Sequence, residues 1–364
     1  MADGSPGLRG RIVSLDQFRG YTVAAMVFVN FIGGIAVFPA IFKHHRTYCS
    51  YADTIMPHFF FAVGFAYRLT YLRRVAAIGR RGASAAVVRR ALGLIVIGFV
   101  VYHLDGEVRS WEELRELGPG GFLATAFRRD LCQTLVQIGL TSVWILPVVA
   151  ASAGARVAYM AVGAGLHLAL SWWFWLDFAW EVPVIDGGWL GILTWAIPML
   201  VGTMAYDAIA ARDAADRSRG SAVPTFLAWS AVLMAAGYAL ASVGGWAPPP
   251  FTPPAEGSAV DLWTMSQRSG SASYQTFAAG FSLLVYALFV VVSDVAGLSV
   301  GVFRTFGTNA LAAYVLHSMV AGAVKPYLPG DAPFWYAALL TSFDFLIVWA
   351  LIRRLEKDGV FFKL

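Results

Sequence analysis

A chain of 364 residues that is 58% hydrophobic and 13% charged, with a mean hydropathy of +0.64, carries more apolar surface than a soluble domain can bury. Its net charge of +5 is scattered between apolar segments and forms no basic stripe, which argues against nucleic acid as a partner. The composition therefore predicts an all-α, polytopic integral membrane protein, with residues 1–364 forming one domain and membrane lipids as its solvent.

A hydrocarbon core about 30 Å thick needs about 20 apolar residues per helical crossing. About ten such windows follow one another, at 21–40, 55–72, 91–104, 131–150, 157–175, 189–206, 225–243, 276–292, 306–324 and 335–351. Residues 1–20 form a polar leader with no small-residue cleavage site, so the first span is expected to be retained. The 91–104 window is the shortest and spans the core if its flanking arginines snorkel. With the N-terminus in the cytoplasm, 19 of the 27 Lys and Arg residues fall on inner segments, and only Lys43, Arg46, Arg109, Arg115, Arg128, Arg129, Arg268 and Lys325 fall outside. That asymmetry predicts an even number of helices with both termini cytoplasmic.

The longest stretches between windows, 105–130 and 244–275, fall on the outer side. The second contains Trp246-Ala-Pro-Pro-Pro-Phe-Thr-Pro-Pro254, too rich in proline for a helix and readable either as an extended cap or as a plain linker. Cys49 and Cys132 lie near the outer face, as a pair or as two separate apolar thiols.

Polar groups inside apolar windows are costly, so Asn30, Asn309, His317 and Asp344 stand out. Asn309 and His317, eight positions apart, project from a similar helix face about 12 Å apart; a helix–helix hydrogen bond is the plainer use of each. Ser14 and Gln17 have capping-box spacing, and Asp16 and Arg19 are an i,i+3 pair. The inner arginines Arg73, Arg74, Arg80, Arg81, Arg89 and Arg90 suit phosphate contacts, although topology alone also predicts them.

The stretch Ser14-Leu-Asp-Gln-Phe-Arg-Gly-Tyr-Thr-Val-Ala-Ala-Met-Val-Phe-Val-Asn30, then Phe42-Lys-His44, then Ala52-Asp53 and Pro57, resembles the heparan-α-glucosaminide N-acetyltransferase family and its bacterial relatives. Gly307-Thr-Asn-Ala-Leu-Ala-Ala-Tyr-Val-Leu-His317 looks like that family's late G-x-N-x-x-x-x-Y-x-x-H helix, and Asp186-Gly-Gly-Trp-Leu-Gly191 is a looser match to its D-x-x-G-x-L loop. Two departures are visible: Thr134-Leu-Val-Gln-Ile138 keeps Gln137 but lacks the Gly and Arg of the family's G-V-L-Q-R motif, and the doublet His44-His45 replaces a single histidine.

The resemblance implies a transmembrane acyltransferase of a bacterial plasma membrane. It takes acetyl-CoA from the cytoplasm as co-substrate and an amino sugar or related glycan on the outer side as acceptor, with no metal. An amine attacking a thioester needs a base, and histidine is the natural one; His44 and His45 both remain candidates. Asn30 suits the developing oxyanion, and Asp53 suits orienting the imidazole or holding an ammonium. Asp16, Arg19, Gln137, Asn309 and His317 are carried over with the motifs toward the donor, beside Arg73 and Arg74. The catalytic group is expected to share one outer cavity with Asn309 and His317. A transporter or flippase, using the same buried polar groups without group transfer, is the competing expectation. A homodimer is left open.

Overall fold

The protein is described here by a computed structural model covering residues 10–104, 108–126, 132–181, 184–255 and 257–362. Arg128 and Arg129, named above, and part of the stretch 105–130 lie outside the described residues. The helices are α1 (Val13–Ile32), α2 (Ile55–His103), α3 (Trp111–Ala126), α4 (Thr134–Trp144), α5 (Ala153–Leu170), α6 (Leu176–Glu181), α7 (Gly191–Ala214), α8 (Val223–Ala241), α9 (Ala272–Phe289), α10 (Gly301–Thr308), α11 (Ala310–Val324) and α12 (Phe334–Lys357). Among the described residues there is no strand.

Six helical stretches are long and apolar enough to cross a membrane: Ala52–His103, Ala153–Glu181, Gly188–Ala214, Arg219–Ala241, Ala272–Val295 and Phe334–Lys357. Their burial sorts them. The apolar windows of the stretches holding α7 and α9 are 78% and 61% buried, whereas the other four are 17–28% buried. Thus α7 and α9 form the centre of the bundle and the others turn broad apolar faces outward, as lipid requires.

Close crossings rest on small residues, as expected where helices associate by packing rather than by escape from water. A Cβ on Gly64 of α2 would lie 1.8 Å from Met199 O on α7, and one on Gly20 of α1 would lie 1.7 Å from Phe303 O on α10. Gly307 completes the second crossing, its Cβ position 2.3 Å from Asp16 O.

Windows 55–72 and 91–104 both lie on α2. The long α2 is not straight: Gly79 has φ 74° and ψ 169°, and Tyr71 Oη lies 3.2 Å from Ser84 Oγ. Residues 13 apart on a continuous helix are separated by about 20 Å, so limbs 55–78 and 80–103 fold back on each other. The first window was expected to run to residue 40, but α1 stops at Ile32 before Gly33-Gly34, a pair poorly suited to helix. The 306–324 window is broken at Asn309, which has φ −136° and ψ 48°, so Asn309 is not on the same helix as His317.

The expected capping box at Ser14 and Gln17 does not form. Helix α1 begins earlier, with Ile12 at its cap and no side-chain cap. Ser14 instead bonds Asp294, through its N at 3.1 Å and its Oγ at 2.6 Å, and Gln17 Oε1 accepts from Val300 N at 2.8 Å. Asp16 pairs with Arg11 and stands 4.0 Å from Arg19.

The stretches 105–130 and 244–275 differ from each other. Part of 105–130 is the solvent-exposed helix α3. The proline-rich run acts as a cap: Phe251 N donates to Cys49 O at 3.0 Å, and the Phe251 ring packs on Phe277 and Phe281. Cys49 and Cys132 are both free and buried.

Candidate active site

The site is assembled on the segment between α1 and α2. Ser50-Tyr-Ala-Asp53 is a reciprocal capping pair: Ser50 N donates to Asp53 Oδ2 at 2.9 Å, and Asp53 N donates to Ser50 Oγ at 3.2 Å. This fixes the Asp53 carboxylate, which is fully buried. Its other oxygen, Oδ1, lies 2.9 Å from His44 Nδ1, and Tyr274 Oη donates to the Asp53 carbonyl at 2.6 Å.

The His44 side chain, in contrast, is 45% exposed and lines a cavity of about 530 Å³ with Asn30, His45, Arg46, Asp186 and Gln267. Packing around the imidazole disfavours its charge, but the Asp53 hydrogen bond and charge, helped by Asp186 and Gln267, raise its pKa above the usual histidine range.

A second contact runs from His44 toward α11. His317 Nδ1 lies 2.5 Å from Tyr314 O, so Nδ1 carries the proton and Nε2 accepts. Asn30 Nδ2 donates to that Nε2 at 3.2 Å, which turns Asn30 Oδ1 toward His44 Nε2 at 3.5 Å. Lys325 Nζ donates to the Asn30 carbonyl at 2.8 Å, satisfying one of the carbonyls left open at the end of α1.

The doublet is therefore split by geometry. His44 joins Asp53 and Asn30; His45 places Nε2 2.9 Å from Ala40 O and stacks on Tyr48 at 4.3 Å.

Across the cavity stands Asp186, only 3% exposed, with Gln267 Nε2 donating to its Oδ1 at 2.7 Å. Burial pushes its carboxyl up to about 6, against the lowering effects of Gln267 and the His44 charge. Asp186 has φ 53°, followed by Gly187 at 76° and Gly188 at 51°, and Trp195 Nε1 anchors its carbonyl at 2.7 Å. The Asp-Gly-Gly run is what permits three successive left-handed residues. Neither Asp186 nor Gln267 was among the expected site residues; the quoted Asp186–Gly191 loop was the available signal.

No protein-family model and no curated protein matches this chain. The chemistry must be read from its own side chains.

The remaining expected residues separate from this cavity. Asn309 is a correction: its amide is committed to the C-terminal segment, Nδ2 donating to Val360 O at 2.9 Å and Oδ1 accepting from Phe362 N at 3.1 Å. This bond and the Gly307–Asp16 contact place the first and last described residues at one end of the bundle. Gln137 is fully buried on α4 with no partner for either amide atom and packs against Gly191. Asp16, Arg19, Arg73 and Arg74 sit at the opposite end from His44. There Arg90 comes within electrostatic reach of both Arg19 and Arg74.

Proposed function

We propose that this chain is a membrane-embedded acyltransferase that moves an acetyl group from cytoplasmic acetyl-CoA to an amino-sugar or related glycan acceptor on the outer side. The reading takes ten crossings with both termini cytoplasmic, in a bacterial plasma membrane; the 19 inner cations support that orientation. The resemblance to the heparan-α-glucosaminide N-acetyltransferase family supports the same activity.

The observation that carries it is the Asp53–His44 pair, one member sealed and the other open to the cavity. A buried carboxylate on Nδ1 leaves Nε2 as the catalytic nitrogen. As the acceptor nitrogen bonds to the acetyl carbon, His44 Nε2 takes its proton. It then returns that proton to the departing thiolate as the C–S bond breaks. One N–H of Asn30 Nδ2 is spent on His317; the second is free to face a developing oxyanion. Asp186, opposite, can receive the acceptor's ammonium before it loses its proton.

The test is radiolabelled acetyl transfer from acetyl-CoA to glucosamine by the purified full-length protein in lipid nanodiscs. Turnover that requires His44 supports the proposal, and absence of transfer from folded protein to any amino sugar rejects it. A transporter reading draws on Gln137 and Gln275, both fully buried with unpartnered amides. It predicts sugar flux into proteoliposomes with no acetylated product.

A further inference from the structure

A second cavity, of about 190 Å³, opens beside the first on the outer face. It lies between the proline-rich cap and residues Thr47, Tyr48 and Cys49. The wall it shares with the first cavity is one short stretch of chain. His45 and Arg46 face the first cavity, Thr47 and Tyr48 face the second, and the His45 and Tyr48 rings are stacked through the wall at 4.3 Å. The crest of the wall is exposed at Arg46, so a ligand can cross it from the solvent side.

The lining has the two ingredients of sugar recognition, flat apolar faces and fixed hydrogen-bonding atoms. Pro248, Pro249 and Pro250 form a rigid side, and Trp246 stands at the rim, 94% exposed. Asp261 Oδ1 accepts from Trp263 N, Thr264 N and Thr264 Oγ1 at 2.8–3.0 Å, which locks the carboxylate. Its Oδ2 takes none of these bonds and turns toward Gly244 in the cavity wall. Tyr48 adds a buried hydroxyl with no partner. The cap is held down by Phe251, and Tyr238 Oη donates to Ala247 O at 2.9 Å, so this cavity is formed before any ligand arrives.

We propose that this second cavity is a subsite for a further sugar ring of the acceptor, a pyranose that lays an apolar face on Trp246 and the prolines and directs hydroxyl or ammonium hydrogens at Asp261. The reaction would then occur on the ring in the first cavity while the next ring is held across the wall; this rests on the acyltransferase reading for what fills the first cavity.

The test is calorimetric binding of glucosamine and of its β-1,4-linked disaccharide to the full-length protein in nanodiscs, for the wild type, Trp246→Ala and Asp261→Asn. Asparagine keeps Oδ1 and hence the Asp261 turn, and Trp246 is exposed, so both variants are expected to fold. The disaccharide should bind about tenfold more tightly than the monosaccharide, the worth of one good contact, and each variant should shrink that ratio. A ratio of one in the wild type, or one untouched by both variants, overturns the subsite. A variant-sensitive ratio in a protein that transfers no acetyl group leaves the subsite standing and removes the transferase reading.

Discussion

Asn30 and His317, 287 positions apart in the chain, are joined by a 3.2 Å hydrogen bond from the Asn30 amide to the histidine Nε2. Because the other His317 nitrogen faces the Tyr314 carbonyl, the direction of this bond is set. It presents Asn30 Oδ1 to His44, a contact that is attractive only while His44 Nε2 carries a proton. The resting site thus favours imidazolium, and removing that proton both frees the base and loosens Asn30 from it.

The first prediction separates the histidine doublet. His44→Ala should lower acetyl transfer by about 10²–10⁴, the usual worth of a general base. His45→Ala should cost less than about tenfold, since its ring serves Ala40 and Tyr48. Steady-state rates of the two purified variants decide the matter, and the reverse order would falsify the assignment.

The second concerns Asp53. The wild-type rate should climb with pH through an apparent pKa above the ordinary histidine value, because Asp53 stabilises the charged imidazole. Asp53→Asn removes that support and should move the rising limb of the pH–rate profile to lower pH. It should also reduce the maximal rate by about 10²-fold or more, through loss of ring orientation. A reduced rate with an unmoved limb would mean that Asp53 only holds up the Ser50 turn.

How much of this was legible in the sequence follows from how local each signal is. Apolar windows are set by the lipid itself, so the helical character of the chain was readable without any partner. Where helices stop was less so: Asn309 breaks its window while its amide bonds Val360 and Phe362, more than 50 positions away. Asn30, Asp53 and the doublet His44-His45 were singled out by their motif; the structure brings Asn30, Asp53 and His44 together and turns His45 to Ala40. The capping pair that aims Asp53 is Ser50-Tyr-Ala-Asp53, and the same spacing at Ser14 and Gln17 differs from it only through distant partners, Asp294 for Ser14 and Val300 for Gln17. Asp186 gains its place from a loop that crosses to Gln267, 81 positions away, and no local pattern encodes that meeting.

The third prediction uses the Asp186 carboxyl, which titrates near 6 against an ordinary value of 3.8. A folded-state pKa above the unfolded one gives a contribution that is present at low pH and lost as pH rises through about 6. Asp186→Asn should therefore be neutral toward stability below about pH 4. It should gain on the wild type between pH 4 and 6, and level off above by up to about 3 kcal/mol. Thermal unfolding in nanodiscs across that range reads the difference. A variant less stable than wild type at pH 8 would show that the Gln267 bond outweighs the buried charge.

The fourth prediction tests whether the inner arginines do more than set topology. Arg90 comes within electrostatic reach of both Arg19 and Arg74 at the end of the bundle away from His44, and neither Arg74 nor Arg90 has a carboxylate within salt-bridge distance among the described residues. Like charges held together are relieved by an anion, and the phosphates of acetyl-CoA are the anions the proposed reaction brings to this side. Along α1, Arg19 lies about 16 Å from Asn30, so a donor anchored here must reach inward to present its thioester. Removing phosphate contacts weakens ground-state and transition-state binding alike. The double change Arg74→Ala with Arg90→Ala should accordingly raise the KM for acetyl-CoA by about tenfold or more and leave kcat within about threefold. Added salt should mimic part of that effect in the wild type, by screening the same contacts. An unchanged KM in a protein that still inserts in its native orientation would leave these arginines with topology alone.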